Sequence, residues 1–372
     1  MKSLRSLVLV ILCFALLGGG GLWLLLGSHP PLSERENRAL TPLPTFTWEK
    51  LWDGRYQHAL SEFARDQIPF RTPLISLCGL SELALGRAEY NGILLGKDGF
   101  LIPRSVPKEE TVRENLSAYL ALLDLCQAKS LPCSLALAPR GVDLLTDKLP
   151  SFYDGTADRD LWKSIGAFAP ESALLLDRFL ATEDPSFLHY RTDHHWSTDG
   201  AYLAYESLGA LLGYAPIPRD FFDRVTVTSS FLGTSDSKVC LPFSTPDEVV
   251  LYRYVGDLLA EVENPETKQR QKGFYDLSAL EQKDCYEVFL GGNTARLSVT
   301  LPTGEQKPRL LLIKDSYANS VIPFLALHYD LDVIDPRYPQ SPLSSLLEKN
   351  SYDRVLVLAG ADTFSEQKGF LA

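Results

Sequence analysis

Arg309-Leu310-Leu311-Leu312-Ile313, running into Lys314-Asp315-Ser316-Tyr317-Ala318-Asn319-Ser320, is the stretch that decides the fold. An apolar run with no polar alternation reads as a strand covered on both faces, the habit of parallel sheets. The polar segment after it reads as a turn, and Val321–His328 as a helix. Asp332–Ile334 and Arg354–Ala359 repeat the strand pattern, the former ending in Asp335-Pro336-Arg337-Tyr338. Upstream, Thr111–Ala128 sets Val112, Leu116, Leu120 and Leu123 on one helical face, and Leu131–Ala138 follows as a buried strand. Ala173–Leu176 reads as another strand, and Phe187–Arg191 leads into the Asp193-His194-His195 segment. Alternating helix and buried strand predicts the α/β class with a parallel central sheet. Residues 217–305 break the pattern. Val225–Thr228, Val249–Tyr254 and Tyr286–Leu290 read there as strands and Glu261–Lys272 as a charged loop, an inserted, partly antiparallel region.

Sites in open parallel sheets form at the carboxyl ends of strands, which puts Ser316 where a nucleophile belongs. Its bland role is helix N-cap, since Asp and Ser are preferred there. A second segment changes the weighing: His189-Tyr190-Arg191-Thr192-Asp193-His194-His195-Trp196-Ser197-Thr198-Asp199-Gly200 holds three of the chain's six histidines. Histidine exchanges a proton near neutrality. In an extended segment Asp193 and His195 share one face and His194 points the other way. Asp193 then holds one ring nitrogen and leaves the other free as a base. Ser197 or Thr198 caps the helix that follows, with Tyr202, Tyr205, Leu208 and Leu212 at helical spacing. An Asp-His-Ser triad exists only if these two segments meet in space.

The N-terminus bears on location. Lys2 and Arg5 precede an uncharged run from Ser6 to Gly27, roughly the ~20 residues needed to cross a bilayer. Positive charge before it and Glu34 after it orient the remainder outward. We read residues 1–28 as a membrane anchor or signal segment, 29–47 as a Pro-rich linker, and 48–372 as the extracytoplasmic domain. A cleaved signal peptide is the competing reading. From Thr47 one helix is expected, with Trp52, Tyr56, Leu60 and Phe63 in register, stopping near Asp66-Gln67-Ile68-Pro69. A second runs from about Leu74 to Leu85, and residues 90–101 read as a hairpin turning at Lys97-Asp98-Gly99. The net charge of −11 has no basic stripe, which excludes nucleic acid as a partner. Cys126–Cys133 and Cys240–Cys285 are conceivable disulfides after export. No C-x-x-C spacing calls for structural zinc.

Several of these pieces together resemble a known family. Asp193-His194-His195-Trp196, Glu36-Asn37-Arg38, Asp66…Pro69-Phe70-Arg71, Asn91-Gly92…Gly96-Lys97-Asp98-Gly99 and Lys314–Ser320 are similar to the signature of the bacterial DHHW proteins. These look like relatives of the SGNH-hydrolase-like alginate O-acetylation proteins. The resemblance implies a three-layer αβα SGNH-hydrolase-like domain with catalytic Asp193, His195 and Ser316, and Lys314 standing where SGNH hydrolases have Gly. It implies oxyanion or substrate contacts from Gly233, Asn293, Tyr317, Asn319 and Arg337, with no cofactor and no metal. The implied activity is serine-dependent O-acetyl transfer, or ester hydrolysis, on a cell-envelope or secreted polysaccharide. A membrane-bound acyltransferase would supply the acetyl groups.

Two other readings compete. Asp193-His194-His195 also spells the motif of DHH-type metal-dependent phosphoesterases, which need carboxylates and histidines converging on hard cations. A non-catalytic glycan-binding envelope protein would use the abundant aromatics as stacking platforms.

Overall fold

A computed structural model describes residues 2–254, 259–302, 306–339 and 342–371, leaving aside the side chains of residues 2–6, 9, 12, 16 and 25. The chain forms two compact units, Met1–Arg87 with Ser237–Phe243, and Ala88–Asp236 with Ser244–Ala372.

In the smaller unit the N-terminal run is one helix, α1 (Lys2–Leu26). Among the described residues no helix is long and apolar enough to cross a membrane. The single-pass anchor expected from the sequence is therefore not supported, and the side chains of Lys2 and Arg5 lie outside the described ones. A short pair follows, β1 (Leu32–Ser33) against β2 (Arg38–Ala39). The single helix expected from Thr47 is two, α2 (Trp48–Trp52) and α3 (Arg55–Asp66). Gly54, at φ +82°, breaks them in a conformation that favours glycine. Then comes α4 (Arg71–Ala84). The Glu36-Asn37-Arg38 and Asp66…Arg71 motifs meet here. Arg38 donates to both Asp66 oxygens at 3.0 and 2.7 Å, and Arg71 to both Glu36 oxygens at 2.8 and 3.0 Å. The Thr41 amide and hydroxyl add two donors to Asp66.

The larger unit opens with the expected hairpin, β3 (Glu89–Tyr90), β4 (Ile93–Leu95) and β5 (Leu101–Pro103), turning through Lys97–Gly99. Helix α5 (Glu109–Gln127) leads to β6 (Cys133–Ala138), followed by α6 (Gly141–Leu144) and α7 (Thr156–Gly166). The strand expected at 173–176 is instead the start of α8 (Leu174–Leu180). Its apolar run is too short for periodicity to tell strand from helix. Ser197 caps α9 (Thr198–Leu212), its hydroxyl accepting from Gly200 N. A separate ribbon pairs β7 (Phe222–Phe231) with β8 (Asp247–Tyr254). The charged 261–272 segment, expected as a loop, supplies β9 (Glu261–Glu263) and β10 (Arg270–Lys272). Tyr286–Leu290, expected as a strand, is mostly a 3-10 turn over Cys285–Val288.

The main sheet is mixed. With β11 (Arg296–Thr300), β12 (Arg309–Lys314), β13 (Asp330–Ile334) and β14 (Arg354–Gly360), its order is β10-β9-β11-β13-β12-β14-β6. Strands β13, β12, β14 and β6 run parallel, and β11, β9 and β10 extend the sheet antiparallel. The parallel half matches the expectation and the inserted region supplies the antiparallel half. Both faces are covered, as the unbroken apolar runs predict. Leu310, Leu312, Leu356 and Leu358 pack with Phe179 of α8 and Tyr202, Tyr205 and Leu208 of α9. Leu311, Ile313, Val355 and Val357 pack with Leu116 and Tyr119 of α5 and Ile165 of α7 on the other side. The chain leaves β12 for β13 and returns to β14 on its far side, so the order switches at the end of β12. Open α/β sheets bind ligands at that point. Among the described residues no disulfide is formed, so neither conceivable pair is bonded.

The Arg38 guanidinium, ahead of the Thr41 donors, holds the Asp66 carboxyl well below the usual carboxylate range. A depressed pKa contributes stability above the ordinary carboxyl value, which is lost as pH falls through the folded one. Amide hydrogen exchange across residues 38–71 should therefore show protection at pH 7 that weakens on strong acidification. Asp66→Asn should lower that protection at pH 7 and flatten its pH dependence.

Candidate functional site

The sharp end of β12 fixes the first component. Asp315 caps a 3-10 turn over Ser316–Ser320, its Oδ1 accepting from Tyr317 N at 3.0 Å and its Oδ2 from Gly360 N at 2.8 Å on β14. Burial pushes the Asp315 carboxyl upward, with Asp362 adding to it. The helix expected over 321–328 is shorter, Ile322–Leu325.

The second component is the 189–196 loop, closed by a bridge between His189 and Trp196. Trp196 is fully buried and its indole N–H donates to Tyr317 O at 3.0 Å and Ser320 Oγ at 2.9 Å. That ties the loop to the turn after β12. The three polar groups then line up. Ser316 Oγ lies 2.8 Å from His195 Nε2, and His195 Nδ1 lies 2.6 Å from Asp193 Oδ1. With Nδ1–H donating to the carboxylate, Nε2 is the acceptor and the serine hydroxyl donates to it. Asp193 Oδ1 also accepts from His195 N at 3.0 Å, while Oδ2 accepts from the amide and hydroxyl of Thr234 at 2.7 and 2.9 Å. Burial would raise this carboxyl. The His194 and His195 imidazoles and the Thr234 amide outweigh it and hold it well below the usual range. For His195 the order is reversed: burial, then His194, lowers its pKa to about 4 against the pull of Asp193. A neutral imidazole beside an ionised carboxylate is thus the resting state near neutrality.

His194 does not point away as expected. The segment bends rather than extends, so its ring lies over His195 at 3.7 Å between centroids and its Nδ1 meets Thr234 Oγ1 at 2.7 Å. On the other face Tyr286 stacks parallel to His195, 3.8 Å between centroids and 4° between planes, and its hydroxyl donates to Ser316 O at 3.1 Å. The catalytic-type imidazole is held between two rings. Sequence reading gives Tyr286 no role at the site because it sits in a short segment without periodicity, whereas the Gly233-Thr234-Ser235 turn already offers backbone amides and small polar side chains.

The remaining expected contacts fare differently. Gly233 is not an oxyanion donor. Its amide donates to Thr192 Oγ1 at 3.1 Å, and a Cβ there would meet the Asp193 side chain at 2.4 Å. Gly233 makes room for the carboxylate. The Tyr317 amide is taken by Asp315, and its hydroxyl donates to His194 O at 2.5 Å. Arg337 donates to Asp335, with Nε at 2.8 Å and a terminal nitrogen at 2.7 Å, closing the turn after β13. Lys314, buried, donates to Asn293 Oδ1 at 2.7 Å and to Asp335 at 3.3 Å. Burial lowers its pKa to about 8 in spite of Asp335. Asn319 Nδ2 donates to the same Asn293 oxygen at 3.1 Å. Two donors on that oxygen leave the Asn293 amide nitrogen turned elsewhere.

Asp193, His194 and His195 offer atoms within 4.8 Å of one another that could hold a metal ion. Both nitrogens of His195 and both oxygens of Asp193 already have hydrogen-bond partners, so an ion would displace the serine contact or the carboxylate's anchors.

Residues 175–334 match the DHHW protein family, the resemblance read from the sequence. The probable alginate O-acetylase AlgJ of Pseudomonas syringae pv. tomato is 23% identical over 248 residues, 62% of this chain. The match spans only 59% of that relative's length. A DHHW family protein from Eubacterium siraeum superposes with a TM-score of 0.60 at 19% identity, over 75% of this chain and 94% of that one. Bacillus cereus PatB1 gives 0.63 at 19% identity, over 74% and 97%. At such identities the likeness is one of fold, a mixed α/β fold with a large mixed sheet.

Gly233→Ala tests the local packing. The added methyl should push Asp193 off the imidazole, and the low-field proton resonance of a carboxylate-bound His195 Nδ1–H should disappear while far-UV circular dichroism is kept.

Proposed function

We propose that the chain is an extracytoplasmic, serine-dependent O-acetyltransferase with an SGNH-hydrolase-like αβα core, acting on a polysaccharide. The observation that carries this reading is the 2.8 Å contact between Ser316 Oγ and His195 Nε2, with Asp193 on the opposite ring nitrogen. The match to a probable alginate O-acetylase supports the acetyl and polysaccharide assignments. Lys2, Arg5 and the apolar run after them support export.

The site geometry supports the following steps. His195 Nε2 takes the Ser316 proton as Oγ attacks the acetyl carbonyl of the donor. Asp193 keeps the ring in the right tautomer and stabilises the imidazolium. The tetrahedral oxyanion needs donors aimed at it. Since Asp315 occupies the Tyr317 amide, the Asn293 amide nitrogen, turned outward by Lys314 and Asn319, takes that part. His195 returns its proton to the leaving group and an acetyl-serine remains. A sugar hydroxyl then gives its proton to His195 and attacks the ester, releasing Ser316. Water in that step makes the protein an esterase. A membrane-bound acyltransferase is the proposed donor partner.

Turnover of an aryl acetate should fall by about 10⁴-fold in Ser316→Ala; unchanged turnover would remove the serine from the mechanism. The base must be neutral, so kcat/KM should hold as pH falls and drop only as His195 is protonated. The acid limb is expected near pH 4, not near the ordinary 6.5.

A further inference from the structure

We propose that a second pocket in the larger unit binds an uncharged glycan chain. As the acceptor's binding site it rests on the transferase reading, but its binding does not depend on the triad. The cavity, about 440 Å³, is walled on one side by the 189–199 loop that carries Asp193 and His195, and on the other by β8 and the Asp98 turn. That volume is in the range of small-molecule sites.

Two buried, unpartnered nitrogens belong to residues of its lining. His189 is 5% exposed and its Nε2 has no partner among the described residues, and the same holds for Nε of Arg191. Burying an unpaired polar nitrogen is costly, and both of these lie on side chains that line the cavity. Arg191 lies over the Phe100 ring at 5.5 Å, and Phe187, 51% exposed, gives a second apolar surface at the rim.

The charges decide the ligand class. Lys148 is held by Asp98 at 2.9 Å and Arg224 by Asp199 at 2.8 Å. Asp247 accepts from the Arg191 and Thr192 amides and the Thr192 hydroxyl. The pocket therefore presents matched donors and acceptors beside apolar rings, with no surplus of positive field. A sugar ring has the complementary surface: hydroxyls that both donate and accept, and an apolar face. A polyuronate would bring carboxylates against Asp98, Asp199, Asp247 and Glu248, on a chain of net charge −11.

The test is calorimetric titration of the full chain, as wild type and as Ser316→Ala, with cellopentaose and chitopentaose against a galacturonate pentamer. Saturable binding of at least one neutral probe is expected, equal in the two proteins and at least about tenfold stronger than the uronate, a difference of about 1.4 kcal/mol. Arg191→Ala and Phe187→Ala should each weaken it by roughly tenfold. Phe187 is half exposed, so its variant guards against simple misfolding. Stronger uronate binding, no binding of either neutral probe, or neutral binding untouched by both substitutions would overturn the proposal. Should binding fail while aryl acetate turnover still requires Ser316, the pocket falls and the serine mechanism stands.

Discussion

A hydroxyl and an imidazole meet at 2.8 Å although 121 residues separate them in the chain. Closing so long a loop has a large entropic cost, and a single hydrogen bond contributes only about 1 kcal/mol net. The contact is therefore a consequence of packing, not its cause. The sheet sets Ser316 at the end of its central parallel strand, and Trp196 docks the histidine loop there by its indole N–H and its burial. Tyr286 then presses on the imidazole from the inserted region. Three segments far apart in sequence position one ring.

Electrostatics follow from the same burial. A low-dielectric pocket disfavours charge on His195, while Asp193 keeps its charge because the His194 and His195 imidazoles flank it and four donors converge on its two oxygens. The pair is thus poised with the base free and its orienting partner ionised. Lys314 extends the polar framework through Asn293 to Asn319 and through Asp335 to Arg337.

What the sequence made legible was what periodicity and chain-local chemistry encode. The unbroken apolar runs at 309–313 and 354–359 announce double-sided burial, and Ser197 announces a cap; all three are observed. The Asp-x-His and Asp-Ser pieces were visible, and the fold brings them together. Four-residue runs such as 173–176 carry no usable period and folded as helix. The 261–272 strands are three residues each, β10 at the edge and β9 with only Val262 buried, too short for their alternation to stand out among the charges. Gly233 reads as an oxyanion contact and Arg337 as either a substrate contact or a turn closer; in the fold the partners of both lie through space. One yields room to Asp193 and the other neutralises Asp335. No spacing in the chain announces either.

The account stands on Ser316 being a nucleophile activated by His195. Intact-mass and peptide mapping after exposure to an arylsulfonyl fluoride reads this directly. A single adduct on Ser316, with its rate of formation collapsing in His195→Ala while the fold is kept, is the expected result. Labelling elsewhere, or a rate on Ser316 that is indifferent to His195, would contradict it.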